Sequence, residues 1–205
     1  MIAYHFCAID DKGHAMRRDG KIIDVGETET YTGTLEMCAT GLHASKHPFD
    51  ALEYAPGPML RRVDCSGEML HQKDKLVCSE RKELERIDAT SLLRLCAADF
   101  AERALMRERK AGREPDKRSW AVIEAARQFA NGKISREQLD AARDDAHSSA
   151  APAPHSSALA ASAALAASRD DARVAAWDAS RDDAWDDEKK WQRRHFAAMV
   201  RKAMP

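Results

Sequence analysis

The first ninety residues alternate between short apolar runs and turn residues. Ile2 to Ile9 is rich in aromatic and β-branched side chains and ends at Asp10-Asp11-Lys12-Gly13, which predicts a strand closed by a turn. Lys21 to Val25, opened by Asp19-Gly20 and closed by Gly26, predicts a second short strand. Thr28 to Tyr31 and Thr34 to Met37 flank Gly33 and are expected to pair across it, and Gly41 to Ser45 reads as a short extended piece. Pro48 suits a first helical turn, where its missing N–H costs nothing. Phe49 and Leu52 then follow at helical spacing, until Pro56-Gly57-Pro58 stops the helix. Met59 to Cys65 and Lys75 to Arg81 predict two more strands, with Ser66-Gly67 turning between them.

The period changes near Asp88-Ala-Thr-Ser91, whose side-chain oxygens can cap a helix. Leu93, Cys96, Ala97, Phe100 and Ala104 fall on one helical face, and Gly112 and Pro115 end that helix. A second helix is predicted from about Ser119, with Val122, Ala125, Ala126 and Phe129 as its apolar stripe and Asn131-Gly132 as its stop. Ser135-Arg-Glu-Gln138 has capping-box form and opens a third. His147 to Ala158, with Pro152, Pro154 and two copies of His-Ser-Ser-Ala, reads as a joint before a long alanine-rich stretch. There Val174, Trp177, Trp185, Trp191, Phe196 and Met199 share a broad arc, with Asp182, Asp183, Asp186, Lys190, Arg193 and Arg194 opposite. Arg-Asp-Asp-Ala recurs three times, from Arg143, Arg169 and Arg181; the unequal spacings exclude a solenoid. The expected fold class is therefore α+β: a small mixed, strand-rich domain over residues 1–88, then an alanine-rich all-helical bundle over 89–205.

Charge narrows the function. The 205 residues carry a formal net charge of -1. Residues 1–90 hold 12 Lys+Arg and 16 Asp+Glu, a net of -4; the remainder holds 21 and 18, a net of +3. Neither half is the polycation that direct nucleic-acid binding requires. Five cysteines (Cys7, Cys38, Cys65, Cys78 and Cys96), an odd number without C-x-x-C spacing, read as buried thiols of a cytoplasmic protein. No basic leader opens the chain, and no apolar run is long enough to span a membrane.

The densest polar cluster is Cys38-Ala-Thr-Gly41-Leu-His43-Ala-Ser45-Lys-His47-Pro. His43 and His47 are four apart, but Pro48 disfavours α geometry at His47 and no carboxylate or second cysteine completes a metal site. No nucleophile elbow or phosphate loop is present. The plainer reading makes Cys38 core, Gly41 a tight turn, and His43 a hydrogen-bonding partner of nearby backbone. On the last helical stretch, Trp177 and Trp191 are expected in the core. Trp185, at the stripe's edge, is the candidate partner contact together with Asp182, Asp186 and Arg193, since tryptophan and arginine are enriched at binding hot spots.

Three resemblances rest on these motifs. Cys38-x-x-Gly41-Leu42-His43-Ala44, Pro48-x-Asp50-Ala51-Leu52-x-Tyr54, and a strand with Val63 and Gly67-Glu68 resemble an uncharacterised family of small domains from phage and prophage genomes. Leu93-x-Leu95-Cys96-Ala97-Ala98-Asp99-x-Ala101-Glu102-Arg103 and Ile123-Glu-Ala-Ala-Arg127-x-Phe129-Ala-x-Gly132-x-Ile134 are similar to a helical family of immunity proteins from bacterial toxin systems. Gly41-Leu-His-Ala-Ser45 followed by Ala51 and Tyr54 resembles the middle of ADP-ribosyltransferase folds. That likeness implies an NAD pocket near His43, Ser45, Tyr54 and Glu80, with His5 and Glu83 as further polar positions.

The expectation is a non-enzymatic binder without cofactor or metal. The first two resemblances imply an inhibitor or antidote that occludes a bacterial protein or ribonucleoprotein, such as a CRISPR effector or a toxin. An NAD-using transferase and a helical homo-oligomer, such as a homodimer, are the alternatives.

Overall fold

The computed structural model describes residues 1–148 and 186–205. Its contacts divide the chain into two units, residues 1–89 with 196–205, and residues 90–195. The α+β class is observed, with strands before residue 89 and helices after it. No helix among the described residues is long and apolar enough to cross a membrane.

The first unit is an antiparallel sheet of β1 (Ile2–Ile9), β2 (Ala15–Met16), β3 (Thr28–Thr30), β4 (Leu42–Ala44), β5 (Met59–His71) and β6 (Leu76–Asp88). The order is β2-β1-β5-β6-β3, and β4 also pairs with β6. The sheet curls until it meets itself. Ser45, just past β4, exchanges two backbone hydrogen bonds with Tyr4 of β1, at 2.8 and 2.9 Å. That closure removes an edge that would otherwise expose unpaired backbone groups. Inside lies a core of Ala3, Ala44, Val63, Cys65, Leu76 and Cys78, with a second of Cys7, Ala15, Ile23 and Met59. Leu60 and Leu76 are fully buried, each stabilising the fold by roughly 1.5–3 kcal/mol.

Helix α1 (Pro48–Glu53) follows β4 directly. His47 caps it, its Nδ1 accepting from the Phe49 N–H at 3.2 Å, and Pro48 opens it. Phe49 meets Phe196 edge-on with ring centroids 6.1 Å apart. Arg62 donates to the carbonyls of Met204 and Pro205, at 3.3 and 3.2 Å, so the chain's last residues belong to this unit.

Three predicted strand features differ. Ser66-Gly67 is not a hairpin turn: β5 runs through it to His71, and the chain reverses at Gln72–Lys75, where the Gln72 N–H reaches the Lys75 carbonyl at 2.8 Å. Gly67, at φ 71°, instead takes up a bulge where the register shifts, a placement glycine favours because it lacks a Cβ. Lys21 to Val25 contributes only an isolated bridge from Ile22 to Met16. Thr34 to Met37 forms no strand; Thr28–Thr30 pairs with β6 instead.

In the second unit, α2 (Thr90–Lys110) buries Leu93, Cys96, Ala97, Phe100 and Ala104, as the periodicity predicts. Helix α3 (Lys117–Ala130) is capped by Asp116, whose carboxylate accepts from the Arg118 N–H at 2.8 Å, and stops at Asn131. Val122, Ile123 and Ala126 carry its contact face, while Ala125 and Phe129 are half-buried. Before α4 (Arg136–Ser148), Ser135 and Gln138 form the predicted reciprocal cap. Arg127 joins α3 to α2 by bonding Asp99 at 2.8 Å and Glu102 at 2.5 Å. The last helix, α5 (Asp186–Ala203), gives this unit Trp191 and His195. Their rings stack 4.7 Å apart, with Phe100 edge-on to Trp191 and Arg103 over its face.

Candidate functional site

The curl of the sheet leaves a cavity of about 950 Å³ between β1, β4 and the segments that precede and follow them. Its walls are mostly apolar. Polar groups enter from β1 (His5), from the segments around residues 17–31 (Arg17, Glu29) and 38–45 (His43), and from α1 and β6 (Tyr54, Arg81). An apolar concavity with a few convergent polar groups is the usual form of a small-molecule site.

Below it lies a buried ionic layer. Arg61 is fully buried; its Nε donates to Glu83 at 2.5 Å and its Nη1 to Glu29 at 2.9 Å. Glu29 also accepts a two-pronged bond from Arg81, at 3.0 and 3.1 Å. Glu83 accepts from Arg86 at 2.6 Å, and Arg17 pairs with Glu27. Burial pushes the Glu29 carboxyl up, but Arg81 and Arg61 outweigh it and hold the group below its ordinary value. Removing one partner from such a layer would strand a buried charge, at a cost of about 3–5 kcal/mol. The layer therefore fixes Arg81 and Glu29 at the cavity wall.

His5 stands across the ladder from Arg61. Its half-buried side chain lines the cavity. Burial, then Arg81, Arg61 and His43, lower its pKa well below the usual value, so the ring is neutral. Its Nδ1 is enclosed without a hydrogen-bond partner.

His43 is differently employed. Its Nε2 accepts the Cys38 N–H at 3.0 Å, and burial lowers its pKa. It ties down a turn in which Cys38 takes φ 68° and Gly41 φ 94°. Cys38 itself is exposed, not core as expected; its left-handed backbone turns the side chain outward beside Lys75. Hydrogen bonding to Cys38, then to Tyr54, holds the Lys75 ammonium above its usual pKa. Tyr54 in turn bonds Asp74.

Of the pocket positions expected from sequence, His43, Ser45 and Tyr54 line the cavity. Glu80 does not: it is exposed and accepts from the Ser66 hydroxyl at 2.8 Å. Alternation along β6 turns Glu80 away and Arg81 inward. Glu83 is enclosed in the ionic layer between Arg61 and Arg86. Sequence reasoning missed Arg81, Glu29 and Arg61. The readable signal was parity, because Arg61 shares its strand face with Val63's core neighbours and a charge at such a position needs a partner. Of the candidate partner contacts, Asp186 is exposed and Arg193 half-buried. Asp182 and Trp185, and likewise Trp177, lie outside the described residues.

A family model described as a domain of unknown function (DUF7666) matches residues 1–95, the stretch that contains the whole cavity. No curated protein and no solved structure matches the sequence.

Proposed function

We propose that the protein acts by binding, and that its sheet unit is a small-molecule binding domain with the 950 Å³ cavity as its site. The observation that carries this reading is the pairing of an apolar wall with a neutral, unpartnered histidine at its polar end. Buried side-chain polar atoms are as a rule hydrogen-bonded, so a histidine nitrogen left without a partner calls for an explanation. Here the ring opens on a concavity large enough for a nucleotide-sized guest. Native mass spectrometry of the gently purified full chain tests it. A retained small molecule, lost in Ala39→Trp at the exposed rim, supports the site. A wild-type chain that carries nothing, and whose melting temperature no small molecule in a broad library raises, overturns it.

An NAD-using transferase is the second reading, favoured by one observation: His43, Ser45 and Tyr54 all face the cavity. Against turnover stands the placement of Glu80, since the carboxylates that face the cavity are Asp19 and Glu29. Glu29 is already engaged by Arg81 and Arg61. NAD consumption, with host protein gaining the mass of ADP-ribose, would establish that reading; NAD binding without consumption leaves the binding domain.

A further inference from the structure

Resting on the cavity as a binding site, a sharper statement about its occupant follows from the charges around it. Four cations line the cavity: Arg17, Arg18, Lys75 and Arg81. Two carboxylates do so, Asp19 and Glu29. Both carboxylates are already used. Asp19 accepts the Lys21 N–H at 3.2 Å and pairs with its ammonium at 3.6 Å. Glu29 is shared by Arg81, Arg61 and Arg17. The ionic layer behind adds Arg61 and Arg86 against Glu27 and Glu83, a balanced set that leaves the surplus at the cavity in place. Arg18, at the rim, is exposed and has no ion pair among the described residues. In an apolar cavity such a surplus attracts an anion far more than it would in water, because the walls exclude the solvent that would screen it.

His5 adds a direction. An enclosed nitrogen beside guanidiniums is better left as a lone pair than protonated. The single proton of the neutral ring therefore belongs on Nε2, and the side of the ring that opens on the cavity offers a donor. Arg18 and Lys75 line the same space and can only donate, although Lys75 already gives one bond to the Tyr54 hydroxyl at 3.3 Å. A guest that supplies acceptors suits them.

We infer that the cavity takes an organic anion, with an aromatic or aliphatic body against the apolar walls and a carboxylate or phosphate group among His5, Arg18 and Lys75. Arginine and lysine are the residues that hold such oxyanions, arginine through its planar fork and lysine as a point charge.

Matched probes test this with the full chain. Isothermal titration compares 1-naphthoate and 1-naphthyl phosphate with the neutral 1-naphthamide, and 1-naphthamide stands for the apolar body alone. The expected result is that at least one anion binds about tenfold or more tighter than the amide, as loss of a charge-assisted hydrogen bond implies. Its affinity should fall as salt rises, and Arg18→Gln and Lys75→Gln should each weaken the anion but not the amide. Both positions are at the rim, so the melting temperature serves as the fold control. The two anions rank carboxylate against phosphate. Equal binding of amide and anions overturns the inference and leaves the binding site standing. Failure of all three, together with no binding of the neutral dye Nile red, overturns the site and the inference with it.

Discussion

At the scale of single residues, the sheet unit is defined by what its titratable groups are prevented from doing. His5 cannot take a proton in the folded protein at ordinary pH, because burial and then Arg81, Arg61 and His43 oppose it. In the unfolded chain it protonates below about pH 6.5. The unfolded state then binds more protons than the native state, so His5 makes stability fall as pH drops below about 6.5, with a limiting slope of about 1.4 kcal/mol per pH unit. Glu29 acts lower on the scale. Its folded pKa lies below its unfolded value, so its contribution is lost only as pH falls through that lower folded value. Urea denaturation at pH 7.0 and 5.5 should show wild type weakening over this interval and His5→Gln weakening less; equal losses would rule out His5 as the source. Cysteine reactivity is set in the same way. Burial raises the pKa of Cys7 and Cys96, and Cys65 and Cys78 are fully enclosed, whereas Cys38 is exposed. A thiol reagent such as DTNB should therefore modify one thiol rapidly in the native protein, and Cys38→Ser should abolish that fast phase. More than one fast thiol in wild type would mean that the curled sheet opens readily.

At the scale of elements, the helices were far more legible in the sequence than the strands, for a physical reason. A helix satisfies its own backbone, and its signals are local: the Asp116 and Ser135 caps, the Asn131 stop and the stripe from Leu93 to Ala104 all lie within the segment they define. A strand is decided by a partner far away. Thr28–Thr30 is a strand because β6 lies beside it, and Lys21–Val25 is not one because only Ile22 finds a bridge. The candidate site divides likewise. His43, Ser45 and Tyr54 were found because one short stretch carries them, whereas Arg81 and Glu29 join the wall only through a β3–β6 pairing that the chain does not announce. The turn before β4 is the element on which the cavity depends most. Gly41 sits at φ 94°, and a Cβ there would meet Val77 Cγ2 at 2.5 Å and Leu35 Cδ2 at 2.7 Å. Gly41→Ala should destabilise the sheet unit by roughly 1–3 kcal/mol, through backbone strain and overpacking. It should also displace His43 from its bond to Cys38. Thermal denaturation combined with the His43 ring resonance checks both parts; an unchanged melting temperature would show that the turn gives way without cost.

At the scale of the whole molecule, charge and cavity point to different partners for different parts of the chain. The first ninety residues are net acidic, at -4, yet the lining of their cavity carries four cations and two carboxylates. The remaining residues, at +3, hold the acidic first turn of α5, with Asp186 and Asp187 exposed, followed by a basic run. An occluding inhibitor remains a proposal for this part, with Asp182, Trp185, Asp186 and Arg193 as its contacts. Affinity capture of the full chain from bacterial lysate tests it independently of the cavity. The proposal expects one unmodified protein or ribonucleoprotein retained in near-equal amount, and released when Trp185→Ala and Asp186→Lys are combined. It also expects that partner to persist in Ala39→Trp, because the rim of the cavity takes no part in the contact. A partner lost in Ala39→Trp but kept in the double variant would move the macromolecular contact to the sheet unit, and would make the small guest its regulator or its competitor. A chain that captures nothing in any form would overturn the inhibitor proposal and leave the cavity proposal to its own test.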